Sequence, residues 1–333
     1  MGNTNQLKET SVKRKSLAIM LTVWGAVLAG CGGGNSGTSG GSATSTGGAC
    51  PSGSGSSGNG ASVSIGSKTF AEEQLLATIT KQVLEKHGFT VNYSLQADDT
   101  AIGRAVQSGQ IDMLWQYTGT ELSLPGYLGL SNFPRALDTA FAFVKQKDEP
   151  RGLCWTSPAP MNDTNGLAVK AADKSKYGPT LTDFGKYLAA NPNTKVCILS
   201  AFRTRPDGLP GLVSTYNPAY GNANLVDTGT KTAEKNIVNG DCAAGEVFTT
   251  DSGIAANNLV VLQDDKNLFP PDNVGLIVRA SVLQAHPAIA ALMAPVAAKI
   301  TSDEITKLNK AVEIDNLKLD DVARTWLQQN GFL

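Results

Sequence analysis

The chain is poor in histidine. Its 333 residues include two, His87 and His286, far in sequence from each other and from the cysteines. Imidazole acid–base chemistry therefore has little to draw on. There is no serine-centred elbow, no HExxH, no glycine-rich dinucleotide fingerprint and no Walker-type phosphate loop. The chain is read as a non-enzyme that uses no cofactor and no metal, and not as a transport ATPase. It has no basic stripe: 28 Lys and Arg stand against 29 Asp and Glu, a net charge of −1. That argues against a nucleic-acid partner. Beyond the N-terminus no apolar run reaches spanning length, which excludes a permease. Cysteines number five, and no pair has zinc-ligand spacing.

What is present begins at the N-terminus. Lys8, Lys13, Arg14 and Lys15, with Glu9, carry +3, so the remainder carries −4. An apolar stretch from Ser16 to Ala29 follows, short for a lone membrane span. Residues 1–30 read as a secretory signal. Leu28-Ala29-Gly30-Cys31 resembles the bacterial lipobox, which implies lipid modification of Cys31 and a lipid anchor; an uncleaved anchor helix is the competing reading. Gln6 breaks the myristoylation pattern that Met1-Gly2 opens. Residues 31–60 are a Gly/Ser-rich linker, too polar to bury a core and expected to be disordered. Such a coil reaches on the order of 30 Å.

The body, 61–333, suits one large or two small domains. Ser62–Ile65, Val91–Leu95, Ile111–Trp115, Gly166–Val169, Lys195–Leu199 and Glu246–Phe248 read as strands. Leu75, Leu76, Ile79, Val83 and Leu84 recur at helical spacing, with Thr69 and Glu72 as a capping box and Gly88 as a stop. Ala101–Ser108 is a short helix. From Ser281 the chain is helical, with Leu283, Ile289, Leu292, Val296, Ile300, Ile305, Leu308, Val322, Trp326 and Leu327 as its apolar positions. Alternating strands and helices imply a mostly parallel sheet. Export permits disulfides. If the strands at Cys197 and before Glu246 are parallel neighbours, Cys197 and Cys242 share a sheet edge and can pair; two free buried thiols are the alternative. Cys50 and Cys154 are given no partner.

Six segments carry a resemblance. They are Ile65-Gly-Ser-Lys-Thr-Phe-Ala-Glu72, Ser108 to Thr120 (SGQIDMLWQYTGT), Pro158 to Thr164 (PAPMNDT), Arg205 to Gly211 (RPDGLPG), Phe248-Thr-Thr-Asp251, and Leu259 to Lys266 followed by Phe269-Pro-Pro271. In this order they resemble the glycine betaine/choline/carnitine-binding proteins of osmoprotectant ABC importers. The resemblance implies an α/β, two-lobe, type II-like periplasmic-binding-protein fold with two interlobe crossovers. Lobe one would be 61–162 and 274–333, and lobe two 163–273. It implies an extracytoplasmic monomer, anchored by lipid to a bacterial membrane, that binds a small zwitterion or quaternary amine in the cleft and hands it to permease subunits. A binder of an amino acid or polyol, or a sensory module on the same fold, is the alternative.

The ligand set expected from this is Lys68, Thr69, Thr100, Tyr117, Thr118, Asn165, Arg205, Phe248, Thr249 and Asp251. Tyr117 and Phe248 would offer aromatic faces to a quaternary ammonium. Ser67, Lys68 and Thr69 at a helix start, and Arg205, would hold a carboxylate; Arg205 could instead pair with Asp207. The threonines would offer hydroxyls, and Asp99 and Asp251 would favour a cation. Replacing Tyr117 by alanine should remove binding and leave unliganded stability nearly unchanged. Asn165, Leu209 and Asp272 stand where the family often has aromatic residues, and Glu73 or Gln74 where it has Gln. The cage is thinner than the family pattern, and the extra Asn and Asp suit a more polar ligand.

Overall fold

The computed structural model describes residues 50–124, 126–134 and 136–333. The signal segment, Cys31 and most of the linker lie outside the described residues. The strands are β1 (Ser62–Ser67), β2 (Thr90–Gln96), β3 (Met113–Tyr117), β4 (Leu153–Asn162), β5 (Asn165–Lys170), β6 (Lys195–Ile198), β7 (Asn224–Asp227), β8 (Ala244–Phe248), β9 (Leu259–Val261) and β10 (Asn273–Arg279). They form two five-stranded sheets, ordered β2-β1-β3-β10-β4 and β7-β6-β8-β5-β9. Each sheet is the floor of one lobe.

The sheets are mixed, which corrects the expectation of a mostly parallel one. β1 is parallel to β2 and β3, and β6 to β7 and β8. β10 runs antiparallel to β3 and β4, and β5 antiparallel to β8 and β9. The cause is the route of the chain. It leaves the first sheet on β4 and returns on β10, which inserts between β3 and β4. The two crossovers therefore lie side by side. Asp163 N donates to Asp272 O at 3.1 Å, Asp272 N to Asn162 Oδ1 at 2.7 Å and Thr164 Oγ1 to Pro270 O at 2.7 Å.

Helix Ala71–Lys86 buries Leu75, Leu76, Ile79, Val83 and Leu84 against Ile289, Val296, Ile305, Val322 and Trp326 of the C-terminal helices. Complete burial of each such side chain stabilises by roughly 1.5–3 kcal/mol. The second lobe has its own core around Leu167, Phe184, Leu188, Val196, Phe202 and Tyr220. Each lobe therefore has an apolar core of its own.

Two local expectations change. β3 starts at Met113 rather than Ile111. The chain leaves helix Asp99–Ser108 through left-handed Gly109, and the Asp112 carboxylate takes Ser64 N and Oγ at 2.8 and 2.9 Å beside the backbone bond from Asp112 N to Ser64 O at 3.1 Å. β3 thus ends on Tyr117. The capping box does not form: the N-cap is Phe70, without a side-chain cap bond, because Glu72 bonds elsewhere.

The linker's last stretch is not a free coil. Residues 50–60 form a strap across the first lobe, pinned by a Cys50–Cys154 disulfide to β4. Gly58 N and Gly60 N donate to His87 O and Gly88 O, each at 2.8 Å, and Ser54 N donates to Pro287 O at 3.2 Å. Gly53 and Gly58 allow the close approach: a Cβ would stand 2.6 Å from Ala291 N and 2.4 Å from the Phe89 ring. Cys197 and Cys242 are also joined, tying β6 to the segment entering its parallel neighbour β8. Among the described residues no helix is long and apolar enough to cross a membrane.

The strap gives a first prediction. The Cys50–Cys154 separation is 104 residues, and links of this kind typically contribute about 2–4 kcal/mol. The paired Cys50→Ser, Cys154→Ser variant should lose about that much in denaturant unfolding. Amide exchange at Ser54, Gly58 and Gly60 should accelerate with it. Unchanged exchange would mean that the backbone bonds alone hold the strap.

Candidate functional site

The lobe junction gathers strand ends. Tyr117 ends β3 and pairs with Val274 at the start of β10, while Asn165 opens β5 opposite Phe248 at the end of β8. The crossovers run between these pairs.

Lys68 follows β1 directly and is 4% exposed. Its Nζ donates to Gln116 Oε1 and meets Asp99 Oδ1, both at 2.9 Å, and lies 4.4 Å from the Tyr117 ring centroid. Burial opposes its charge, but Asp99 and Glu73 outweigh burial and hold the ammonium above its ordinary pKa. Phe70 stands at the rim, 40% exposed, with its ring centroid 6.3 Å from that of Tyr117. One buried cation thus lies against an aromatic pair.

Behind the ring, Tyr117 Oη donates to Glu72 Oε1 at 2.5 Å. Burial raises the Tyr117 phenol well above its usual pKa, and Glu72 adds to the effect. Tyr117 is 3% exposed, within the first lobe's core. Unliganded stability should therefore depend on its ring, contrary to the expectation from sequence.

The other expected residues divide. Thr100 is half-buried on helix Asp99–Ser108, beside Asp99. Asn165 is 3% exposed, and its Oδ1 is buried without a hydrogen-bond partner. Phe248 is half-buried, and its N–H donates to Asp251 Oδ2 at 2.8 Å. Burial raises Asp251 to about 7, against that bond. Thr118 and Thr249 have committed hydroxyls, donating to Pro271 O at 3.0 Å and Asn162 O at 3.1 Å. Arg205 makes a two-pronged pair with Asp207, at 3.0 and 2.8 Å. Burial opposes the guanidinium charge, and Asp207 more than offsets it. Thr69 is exposed and contributes its carbonyl to Gln74 Nε2 at 2.9 Å.

Asp272 is engaged by backbone amides. Its Oδ1 accepts Gly119 N at 2.5 Å and Thr120 N at 3.1 Å, so it shapes the turn after Tyr117. Burial raises it to about 7, with Arg205 and Lys68 pulling the other way. Leu209 packs on the second lobe's core. Sequence alone gives Phe70 no role and Glu72 a capping role. Both lie inside the first family-like segment, which was the available signal.

Glu73 is fully buried, and its Oε2 accepts Lys68 N at 3.5 Å. Burial lifts its carboxyl from 4.5 to about 8, with Lys68 opposing. Between those values the folded state keeps a proton that the unfolded state releases, so stability falls as pH rises through that window. Glu73→Gln should remove this residue's share of the slope, leaving the shares of Asp251 and Asp272, and make the protein more stable at pH 8 than the parent. Urea unfolding at pH 5 and pH 8 checks it; a parent without the slope would contradict the burial argument.

Residues 61–329 match the family model described as the substrate binding domain of ABC-type glycine betaine transport system. The chain is 31% identical to a glycine-betaine-binding protein of Pseudomonas aeruginosa over 82% of this chain and 89% of that one. It is 30% identical to the glycine betaine-binding protein YehZ of Escherichia coli, over 81% and 91%. The solved apo YehZ structure aligns with TM-score 0.63 and 28% identity, covering 82% of this chain and 99% of that one. A glycine betaine/carnitine/choline ABC transporter structure aligns with TM-score 0.69 and 21% identity, over 81% and 99%. The two sheets, the paired crossovers and these matches together make the chain a two-lobe binding protein of the family of substrate-binding domains of ABC-type glycine betaine transport systems.

Proposed function

We propose that the chain is the extracytoplasmic, lipid-anchored solute receptor of an ABC importer. It captures a small zwitterionic quaternary amine of the glycine betaine or carnitine type between its lobes, closes by a hinge at the paired crossovers and passes the solute to permease subunits. The observation that carries this reading is the buried Lys68 ammonium against the Tyr117 and Phe70 rings at the lobe junction. A zwitterion answers both features. Its carboxylate would meet Lys68, with Arg205 as a second donor. Its methylated ammonium, which cannot donate a hydrogen bond, would lie on aromatic surface from Phe70, Tyr117 and Phe248. Choline has no carboxylate to offset Lys68 and should bind more weakly than glycine betaine. Closure would follow from contacts made only in the closed form.

A melting-shift panel of glycine betaine, carnitine, choline, amino acids and polyols tests the ligand. At 100 times its dissociation constant a ligand of the folded form adds about 2.7 kcal/mol. Shifts from amino acids or polyols alone would replace the quaternary-amine reading, with Asn165 as the first residue to pursue. For the anchor, Cys31→Ser should abolish lipid labelling and release the protein from membranes or leave it as precursor. Unchanged labelling would contradict a lipid on Cys31.

A further inference from the structure

We propose that Glu72 is a positioning residue that couples the ligand face of Tyr117 to the second lobe. The proposal deepens the reading above and rests on Tyr117 being a ligand contact. Glu72 is 4% exposed and lies on the first turn of helix Ala71–Lys86. Its Oε1 accepts the Tyr117 hydroxyl at 2.5 Å. Its Oε2 accepts Thr250 Oγ1 and Asn309 Nδ2, both at 2.7 Å. Tyr117 and Asn309 belong to the first lobe. Thr250 follows β8 of the second lobe and is held at two more points besides its Oγ1 bond to Glu72: Thr250 N donates to Asp163 Oδ1 at 3.1 Å, and Thr250 O accepts Asn309 Nδ2 at 3.3 Å.

The chemistry favours a carboxylate here. Burial raises the Glu72 carboxyl, and the bonds from Tyr117, Thr250 and Asn309 oppose that by favouring the ionised form. An ionised carboxylate only accepts, so its two oxygens can take three converging donors, whereas an amide offers one oxygen and turns its NH₂ toward a donor. With its hydrogen committed to Glu72, Tyr117 presents a ring and not a donor to the cleft. Donation to a carboxylate makes the phenol more electron-rich, which strengthens its face for a cation. Withdrawal of Thr250 with the second lobe would remove one of the three donors and free the carboxylate to shift. The position of the second lobe and the hold on the Tyr117 ring therefore depend on the same two oxygens.

The test is a double-mutant cycle on the full chain, with glycine betaine as the calorimetric probe. Thr250→Val deletes the second-lobe donor without touching Tyr117, and Tyr117→Phe deletes the hydroxyl and keeps the ring. Loss of a bond to a charged acceptor should weaken binding by about tenfold in each single variant. The double variant should be weakened by little more than either single, because both act through Glu72. Thr250→Ser should restore wild-type affinity, which a purely steric role of the Thr250 methyl would not do. Binding within twofold of wild type in Thr250→Val, or multiplying effects in the double variant, would overturn the coupling while leaving the ligand reading intact. Absence of glycine betaine binding by the wild type would overturn both.

Discussion

Lys68→Met should weaken glycine betaine binding by about 100-fold, since removing one partner of a desolvated charge pair costs roughly 2–5 kcal/mol. Methionine keeps the stem's apolar contact with Tyr117 and removes the charge. Asp99, the salt-bridge partner, is 44% exposed and can turn to water, so unliganded stability should change little. Choline should behave oppositely. Its ammonium no longer faces a lysine over the Tyr117 ring, and its affinity should hold or rise. Titration of both ligands against parent and variant checks the contrast. Equal losses for the two would mean that Lys68 maintains the fold of the site and does not read a carboxylate.

Tyr117→Ala should eliminate the ligand-induced melting shift and also destabilise the unliganded protein by about 3–5 kcal/mol, the range for large aromatic side chains cut to alanine in a core. The second effect follows from 3% exposure and from the Glu72 carboxylate left short of a donor. Tyr117→Leu retains most of the apolar volume and should recover much of the stability but none of the binding. A Tyr117→Leu variant that binds glycine betaine as tightly as the parent would remove the aromatic face from the account.

The sequence makes local structure legible where local rules decide it. The apolar spacing of Leu75 to Leu84 and the C-terminal series from Leu283 to Leu327 mark helices that pack as written. Strand bounds shift where a side chain takes part in the pairing at a strand end, as Asp112 does beside β1. What local rules do not reveal is pairing across distance. Glu72 has the spacing of a capping box with Thr69, yet it is drawn to Tyr117, Thr250 and Asn309, up to 237 positions away. Asp272 reads as a polar gain for the ligand, but the Gly119 and Thr120 amides claim it. Residues 50–60 have the composition of a free coil; Cys50, bonded to a residue 104 positions later, makes them a strap. The lobe junction consists of such long-range pairs, and local rules do not reveal them.

A zwitterionic quaternary amine held between the lobes would place its carboxylate at Lys68. Calorimetric titration of the purified wild-type chain with glycine betaine, followed by choline, checks this placement. One saturable site per chain for glycine betaine, with weaker binding of choline, is the expected result. Choline binding as tightly as glycine betaine, or no heat from either ligand at millimolar concentration, would contradict it.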